Sequence, residues 1–294
     1  MRINPNPLPD LLSALEQTQQ QVNTDQEQIA SGQTVSVPSD DPAAAAMLVQ
    51  NADQTAEADQ YSRSIESIQG EMQNADSTMS SVVTILQRAI SVGTEGANGT
   101  NNASDRQAIV SELQGIQSQL VSLANLCYQG SYVFAGTATQ AAPYVLNADG
   151  SVSYVGNDHT NQIAVGDNLN VQANLPGSQL FSSSGNDVFQ AIQDLITSLQ
   201  TDTNISGAVT EVSSAYNYFD QQSVFYGNAL NQVNTQATYL NSETAQLAQQ
   251  QSNLAATNLP QAITNLESSE TADQATLEVI SQSQQNNLFS YLSR

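Results

Sequence analysis

Ile65-Glu66-Ser67-Ile68-Gln69-Gly70-Glu71-Met72-Gln73-Asn74-Ala75-Asp76-Ser77-Thr78-Met79-Ser80-Ser81-Val82 places an apolar residue at steps that alternate between three and four. The series begins at Tyr61 and continues through Leu86 and Ala89. Such spacing winds one narrow apolar stripe along a helix that buries it against a partner helix. Asp41, Pro42 and four alanines supply a helix start upstream, with aspartate as N-cap and proline at the first helical position. The reading is a helix over 43–92, about 75 Å long at 1.5 Å per residue. Downstream, 93–103 is a Gly/Asn/Thr loop, and Ser104 or Asp105 caps a second helix with Ile109, Leu113, Ile116, Leu120 and Leu123 on one face. A long helix, a polar loop and a return helix make an antiparallel hairpin.

The period changes at Tyr128. Tyr132-Val133-Phe134-Ala135-Gly136 reads as a strand, and 144–154 as a hairpin about Asp149-Gly150. Short alternating runs follow at 162–165 and 169–173, closed by Leu175-Pro176-Gly177. Helical spacing returns at Val188, Ile192, Leu195 and Leu199. After a break at 201–206 it runs from Tyr226 through Leu230, Val233, Ala237, Leu240, Thr244, Leu247 and Gln251 to Leu254, and Pro260 interrupts it.

Both chain ends carry thinner seams. The first is Leu8, Leu11, Leu15, Thr18, Val22, Asp25 and Ile29; the second is Ile263, Leu266, Glu270, Asp273, Leu277, Ile280, Gln284, Leu288 and Tyr291. Their polar gaps make each helix unstable alone, so they are expected to pair with one another or with other copies of the chain. The expected fold is mainly α: long antiparallel helices in a bundle or coiled coil formed by the N- and C-terminal segments, with a small inserted antiparallel β domain. The expected division is an assembly segment, 1–42 pairing with 258–294, a helical hairpin over 43–134 packing with 186–257, and a β domain over 135–185.

Composition narrows function. The 294 residues hold 28 acidic groups against five arginines, no lysine and a formal net charge of −23. No basic patch is available for counterion release on nucleic acid, and anionic membranes repel such a surface, so neither partner is expected. Gln, Asn, Ser and Thr fill the polar faces where charged pairs are usual, which lets like copies approach without dense single-sign repulsion. One cysteine excludes an intrachain disulfide, no segment reaches transmembrane length, and no apolar h-region marks a cleaved signal peptide.

Catalytic chemistry has few carriers. His159 is the only histidine and sits in a polar turn; Cys127 follows an apolar helical face and reads as a small buried hydrophobe. One histidine and one cysteine build no zinc cluster. Asp40-Asp41 with Ser39 suits a calcium ligand set, but the helix cap explains the same residues. No catalytic, metal or cofactor site is expected.

Gln33-Thr34-Val35-Ser36-Val37-Pro38-Ser39-Asp40-Asp41-Pro42-Ala43-Ala44 resembles the linker of the bacterial flagellin-like family, in the Pro-Ser-Asp-Asp-Pro form of its hook-filament junction members. Leu123-Ala124-Asn125 with Tyr132-Val133-Phe134-Ala135-Gly136-Thr137, the 171–177 stretch, and the C-terminus from Asn258 to Leu292 resemble three further landmarks of that family, in its order. Flagellin proper usually has Asp-Asp-Ala-Ala where this chain has Asp40-Asp41-Pro42-Ala43. Leu126–Ser131 and Pro260 depart from the junction pattern as well.

The resemblance implies a structural, non-enzymatic subunit outside the cell, in the flagellum, exported by the type III route without a cleaved signal. Its implied partners are copies of itself, the other hook-filament junction protein, flagellin, and a cytoplasmic export chaperone at the C-terminal segment. Flagellin itself, or another type III-exported helical structural protein, is the alternative. The expected self-assembly seam is Leu8, Leu11, Leu15, Val22, Ile29, Ile263, Leu266, Leu277, Ile280, Leu288 and Tyr291. The expected linker and cap are Pro38, Ser39, Asp40, Asp41 and Pro42.

Overall fold

The computed structural model describes the backbone of residues 8–292 and the side chains of residues 8–283. Three helices open the chain: α1 (Leu8–Ser31), α2 (Pro42–Gly96) and α3 (Ala103–Ala124). Short strands follow: β1 (Cys127–Tyr128), β2 (Ser131–Tyr132), β3 (Tyr144–Leu146), β4 (Val152–Tyr154), β5 (Gln162–Gly166) and β6 (Leu169–Gln172). One helical turn, α4 (Gly177–Leu180), precedes β7 (Ser182–Ser183) and β8 (Asn186–Asp187). Three helices close it: α5 (Val188–Thr201), α6 (Ile205–Ala255) and α7 (Leu259–Leu292). The fold is thus mainly α, with a small section of antiparallel strand pairs. The chain divides into two compact units: residues up to Glu57 together with those from Glu243, and Ala58–Ser242.

In the Ala58–Ser242 unit the seven-residue period sets the packing. α2 buries Ala58, Ile65, Met72, Met79 and Leu86, each seven residues after the last, with Ile68, Ala75 and Val82 between them and Ala89 beyond. α6 buries Val212, Phe219, Tyr226, Val233 and Leu240 at the same interval. A strict seven-residue repeat falls behind the 3.6-residue turn, so the two stripes meet only if the helices wrap left-handedly. Gln69 Nε2 donates to Asn234 Oδ1 at 2.8 Å and Gln87 Nε2 to Tyr216 Oη at 2.9 Å, which marks the pair as antiparallel. α3 packs against α5. Gly96 lies against Leu199 so closely that a Cβ there would meet Leu199 Cδ2.

The strands form separate two-stranded pairs, β1-β2, β3-β4, β5-β6 and β7-β8, with no sheet joining them. A lone hairpin is marginal in water, so these lean on the helices through aromatic residues. Phe134, Tyr144 and Phe181 sit edge-on or tilted against Tyr226, Phe189 and Phe219, with ring centroids 5.0–6.3 Å apart. Tyr226 Oη also accepts the Leu175 amide at 3.1 Å, tying the end of the strand section to α6. Pairing around Tyr132 is shorter than the 132–136 strand the pattern suggested, because Val133, Phe134 and Ala135 all turn into the core.

Cys127 is exposed rather than buried: it stands at the outer edge of a tight hairpin whose turn residues, Gln129 and Gly130, have φ of 49° and 85°. The α3 cap is Asn102, not Ser104 or Asp105; Asn102 Oδ1 accepts the Asp105 amide while the Asp105 carboxylate accepts the Asn102 amide.

Truncating Phe181 to alanine removes a fully buried ring from this cluster and should lower stability by about 3–5 kcal/mol. Tyr226→Phe leaves the buried Leu175 N–H without its acceptor and should lower it by about 1–3 kcal/mol. Urea denaturation followed by circular dichroism measures both.

Candidate functional site

In the unit built from the chain ends, α1 and α7 pack against each other along their lengths. The inward stripe of α1 is Leu8, Leu11, Leu15, Thr18, Val22, Asp25 and Ile29; Asp25 is buried and the others are half-buried. That of α7 is Ala262, Leu266, Ser269, Asp273, Thr276 and Ile280, again at steps of four and three. It shares Leu266, Asp273 and Ile280 with the seam read from sequence and replaces the alternate positions by the preceding residues. Ala262, Ser269 and Thr276 are small, so the helices approach closely. Ile263 and Leu277, 47% and 46% exposed, stand outside the intrachain contact. Leu288 and Tyr291 lie on α7, but their side chains are outside the described residues.

Polar groups set the register of this pair. Thr18 Oγ1 lies 3.4 Å from Asp273 Oδ1. The Asp25 carboxylate accepts from Gln21 Nε2 at 3.0 Å and from Ser269 Oγ at 3.1 Å. A carboxylate is costly to bury unless hydrogen-bonded, and here each oxygen has a donor. The unit carries no lysine, arginine or histidine among the described residues, so the donors are an amide and a hydroxyl.

Between α1 and α2 the linker is folded by its two aspartates. Asp40 Oδ2 accepts the Ser36 and Val37 amides at 2.9 and 3.0 Å, closing a turn that Asp40 N completes with the Val37 carbonyl at 3.0 Å. Asp41 Oδ1 accepts the Ala43 and Ala44 amides at 2.9 and 3.0 Å, making it the N-cap of α2 with Pro42 as first helical residue. Pro38, Ser39, Asp40, Asp41 and Pro42 are all exposed. Among the described residues no three His, Cys, Asp or Glu side chains converge as a metal site.

Two features of this unit have weak sequence signals. Gln33 forms an antiparallel bridge with Ala256, with Thr34 N donating to the Ala255 carbonyl at 2.7 Å and Thr257 N to the Gly32 carbonyl at 2.9 Å. Asn51, buried seven residues before Ala58 on the α2 stripe, donates Nδ2 to the Leu247 carbonyl at 2.9 Å. Its Oδ1 has no partner among the described residues. Counting back in sevens from Ala58 locates Asn51, but nothing in one sequence announces the bridge.

Residues 9–139 match the bacterial flagellin N-terminal helical region. Over those residues the chain is similar to the flagellins. It is 29% identical over 236 residues to flagellar hook-associated protein 3 of Salmonella typhimurium, covering 76% of this chain and 73% of that one. It is 28% identical over 223 residues to flagellar hook-associated protein 3 of Escherichia coli, covering 71% and 69%. Among solved structures, the flagellar junction protein FlgL of Legionella pneumophila superposes with a TM-score of 0.61 at 16% identity, covering 71% of this chain and all of that one (100%). Bacillus cereus FlgL gives 0.60 at 20%, covering 69% and 99%. At these identities the two structures show a shared fold.

The cap and the turn respond differently to change. Asp41→Ala should cost about 0.5–2 kcal/mol, with no dependence on added calcium; thermal melts with and without calcium measure it. The Val37 and then the Ser36 amide hold the Asp40 carboxyl below its ordinary value. The turn's contribution is therefore full above the ordinary aspartate pKa and lost as pH falls through the lowered one. The Ser36 and Val37 amide resonances should titrate together with a midpoint below that of an unperturbed aspartate.

Proposed function

We propose that this chain is a structural subunit of the bacterial flagellum that joins the hook to the filament, assembled through its terminal helices. The outer face of α7 carries this reading. Ile263 and Leu277 share one heptad position, stand clear of α1, and together with the exposed Leu12, Leu259 and Val279 give the terminal pair apolar surface that its own seam does not use. Exposed apolar side chains on a helical pair this thin are available to meet other chains. The names of the relatives supply the setting: both curated proteins are hook-associated, and one of the solved structures is called a junction protein.

The assembly segment in this proposal is 1–42 with 258–294, and the seam comprises the inward residues of α1 and α7 together with Ile263, Leu277, Leu288 and Tyr291. Its partners are copies of itself, the other hook-filament junction protein and flagellin, with a cytoplasmic export chaperone on the C-terminal segment before export. The protein then works outside the cell, delivered without a cleaved signal, and has no catalytic role.

Leu277→Asp tests the outer face separately from the intrachain seam. Leu277 is exposed, so the purified variant should melt within about 0.5 kcal/mol of the parent, while cells that make it should lose attached filaments. Ile280 is buried against α1, so Ile280→Asp should instead weaken the terminal pair itself, seen as faster proteolysis of both ends. Electron microscopy of the cells counts filaments. Normal filaments with Leu277→Asp would remove the assembly surface, and motile deletion cells with normal filaments would remove the junction role.

A further inference from the structure

The chain breaks its helices twice in the terminal unit: between Ser31 and Pro42, and between Ala255 and Leu259. The breaks are far apart in sequence, yet the Gln33–Ala256 bridge brings them to one level. On the α6–α7 side the last helical bond below the break is Ala256 N to the Ser252 carbonyl, at 2.8 Å. The first above it is Ala262 N to the Asn258 carbonyl, at 2.9 Å. On the α1–α2 side the flanking bonds are Gly32 N to the Gln28 carbonyl and Ala45 N to the Asp41 carbonyl. No helical ladder crosses this level on either chain segment. Bonds within it run mainly between the two segments: Thr34 N to Ala255, Thr257 N to Gly32, and the Thr34 and Thr257 hydroxyls 2.9 Å apart.

We infer that the two breaks form one coupled joint, in which 256–258 is the pivot, the Ser36–Asp40 turn is the slack, and the Gln33–Ala256 bridge keeps α1 alongside α7 as the joint bends. The short break has little chain to lengthen or shorten, so it can only rotate. The longer break holds a closed turn, and each residue released to extended chain adds roughly 3.3–3.6 Å of reach. The transverse bonds tie segment to segment and do not resist bending along the chain. Opposing it among the described bonds are the long contact of Gln28 Nε2 to the Thr34 carbonyl, 3.4 Å, and the contacts of Ser31 Oγ with Gln33 N and the Gln33 carbonyl, 3.2 and 3.4 Å. Gly32, at φ +69°, ends α1 without the strain a side chain would meet there. The joint is a property of the single chain and stands apart from the junction role, so failure of either leaves the other to be judged by its own experiment.

Two measurements on the full-length protein, with Cys127→Ser to remove the native thiol, test it. The bond pattern around Gln33 and Ala256 is that of a non-hydrogen-bonded antiparallel pair, whose Cα atoms generally lie about 4.5 Å apart, within disulfide range. Gln33→Cys with Ala256→Cys should therefore oxidise to an intramolecular disulfide that blocks alkylation of both thiols. Spin labels at the exposed positions 20 and 274 report across the α1–α7 pair, and labels at 20 and 54 report across the joint. The first distance distribution should be narrow and the second broad; Asp40→Ala should broaden the second alone. Failure of the disulfide to form, a joint-spanning distribution as narrow as the rod's, or broadening of the 20–274 distance by Asp40→Ala would each overturn the inference.

Discussion

Two helices bury only one stripe each, and a stripe shared with polar residues buries little. That constraint governs the terminal unit. The core between α1 and α7 consists of the half-buried Leu8, Leu11, Leu15, Thr18, Val22 and Ile29 with the buried Asp25 on one side, and Ala262, Leu266, Ser269, Asp273, Thr276 and Ile280 on the other. At roughly 25 cal/mol per Å² of apolar area, half-buried side chains recover only part of the ordering entropy of so many residues. Small inner residues deepen the limitation, since they exchange apolar area for close approach. Leu266 and Ile280 face inward, but Ile263 and Leu277 are left facing outward, where further burial requires another chain.

The Ala58–Ser242 unit escapes this constraint by layering. Its α2 and α6 stripes are apolar at nearly every heptad position, and α3, α5 and the hairpins cover the flanks, so one cluster runs from Ala58 through the aromatic rings to Leu240. Tyr144 and Tyr226 are almost wholly buried in this cluster, and that burial pushes their phenols above the ordinary tyrosine pKa. A unit packed in this way carries its own core. The terminal pair can then remain marginal, and marginal segments are the ones free to change partners.

The long helices were legible in sequence because one period persists over many turns: the 61–89 series and, apart from the exposed Gln251, the 226–254 series lie on buried or half-buried stripes. The hairpins at Asp149-Gly150 and around 162–173 were legible through turn chemistry and alternation. The α1 stripe coincides with the residues read for it. On α7 the inward stripe is displaced by one residue at alternate positions, because hydrophobicity ranks Ile263 and Leu277 above Ala262 and Thr276, whereas close helix packing favours the smaller side chains. Periodicity alone does not separate a seam that faces its own chain from one that faces a neighbour. The Gln33–Ala256 bridge was hidden for a different reason: backbone pairing between segments more than two hundred residues apart leaves no local pattern.

Charge bears on how such a surface meets copies of itself. The described part of the terminal unit holds carboxylates from Asp10 to Glu278 and no cationic side chain, while Arg63, Arg88 and Arg106 all belong to the other unit. Close-packed copies therefore bring like charges together, and no salt bridge among these residues offsets the repulsion. Two features reduce it. Asp25 is turned inward onto Gln21 and Ser269, away from any neighbour. Much of the remaining surface is amide and hydroxyl, which donates to carboxylates without carrying charge. Repulsion between exposed carboxylates falls with ionic strength, since the Debye length shortens from about 10 Å at 0.1 M to about 3 Å at 1 M. Apolar contact through Ile263 and Leu277 gains no such relief and needs none. Association through this surface should therefore strengthen with added salt, the reverse of an interface held by ion pairs.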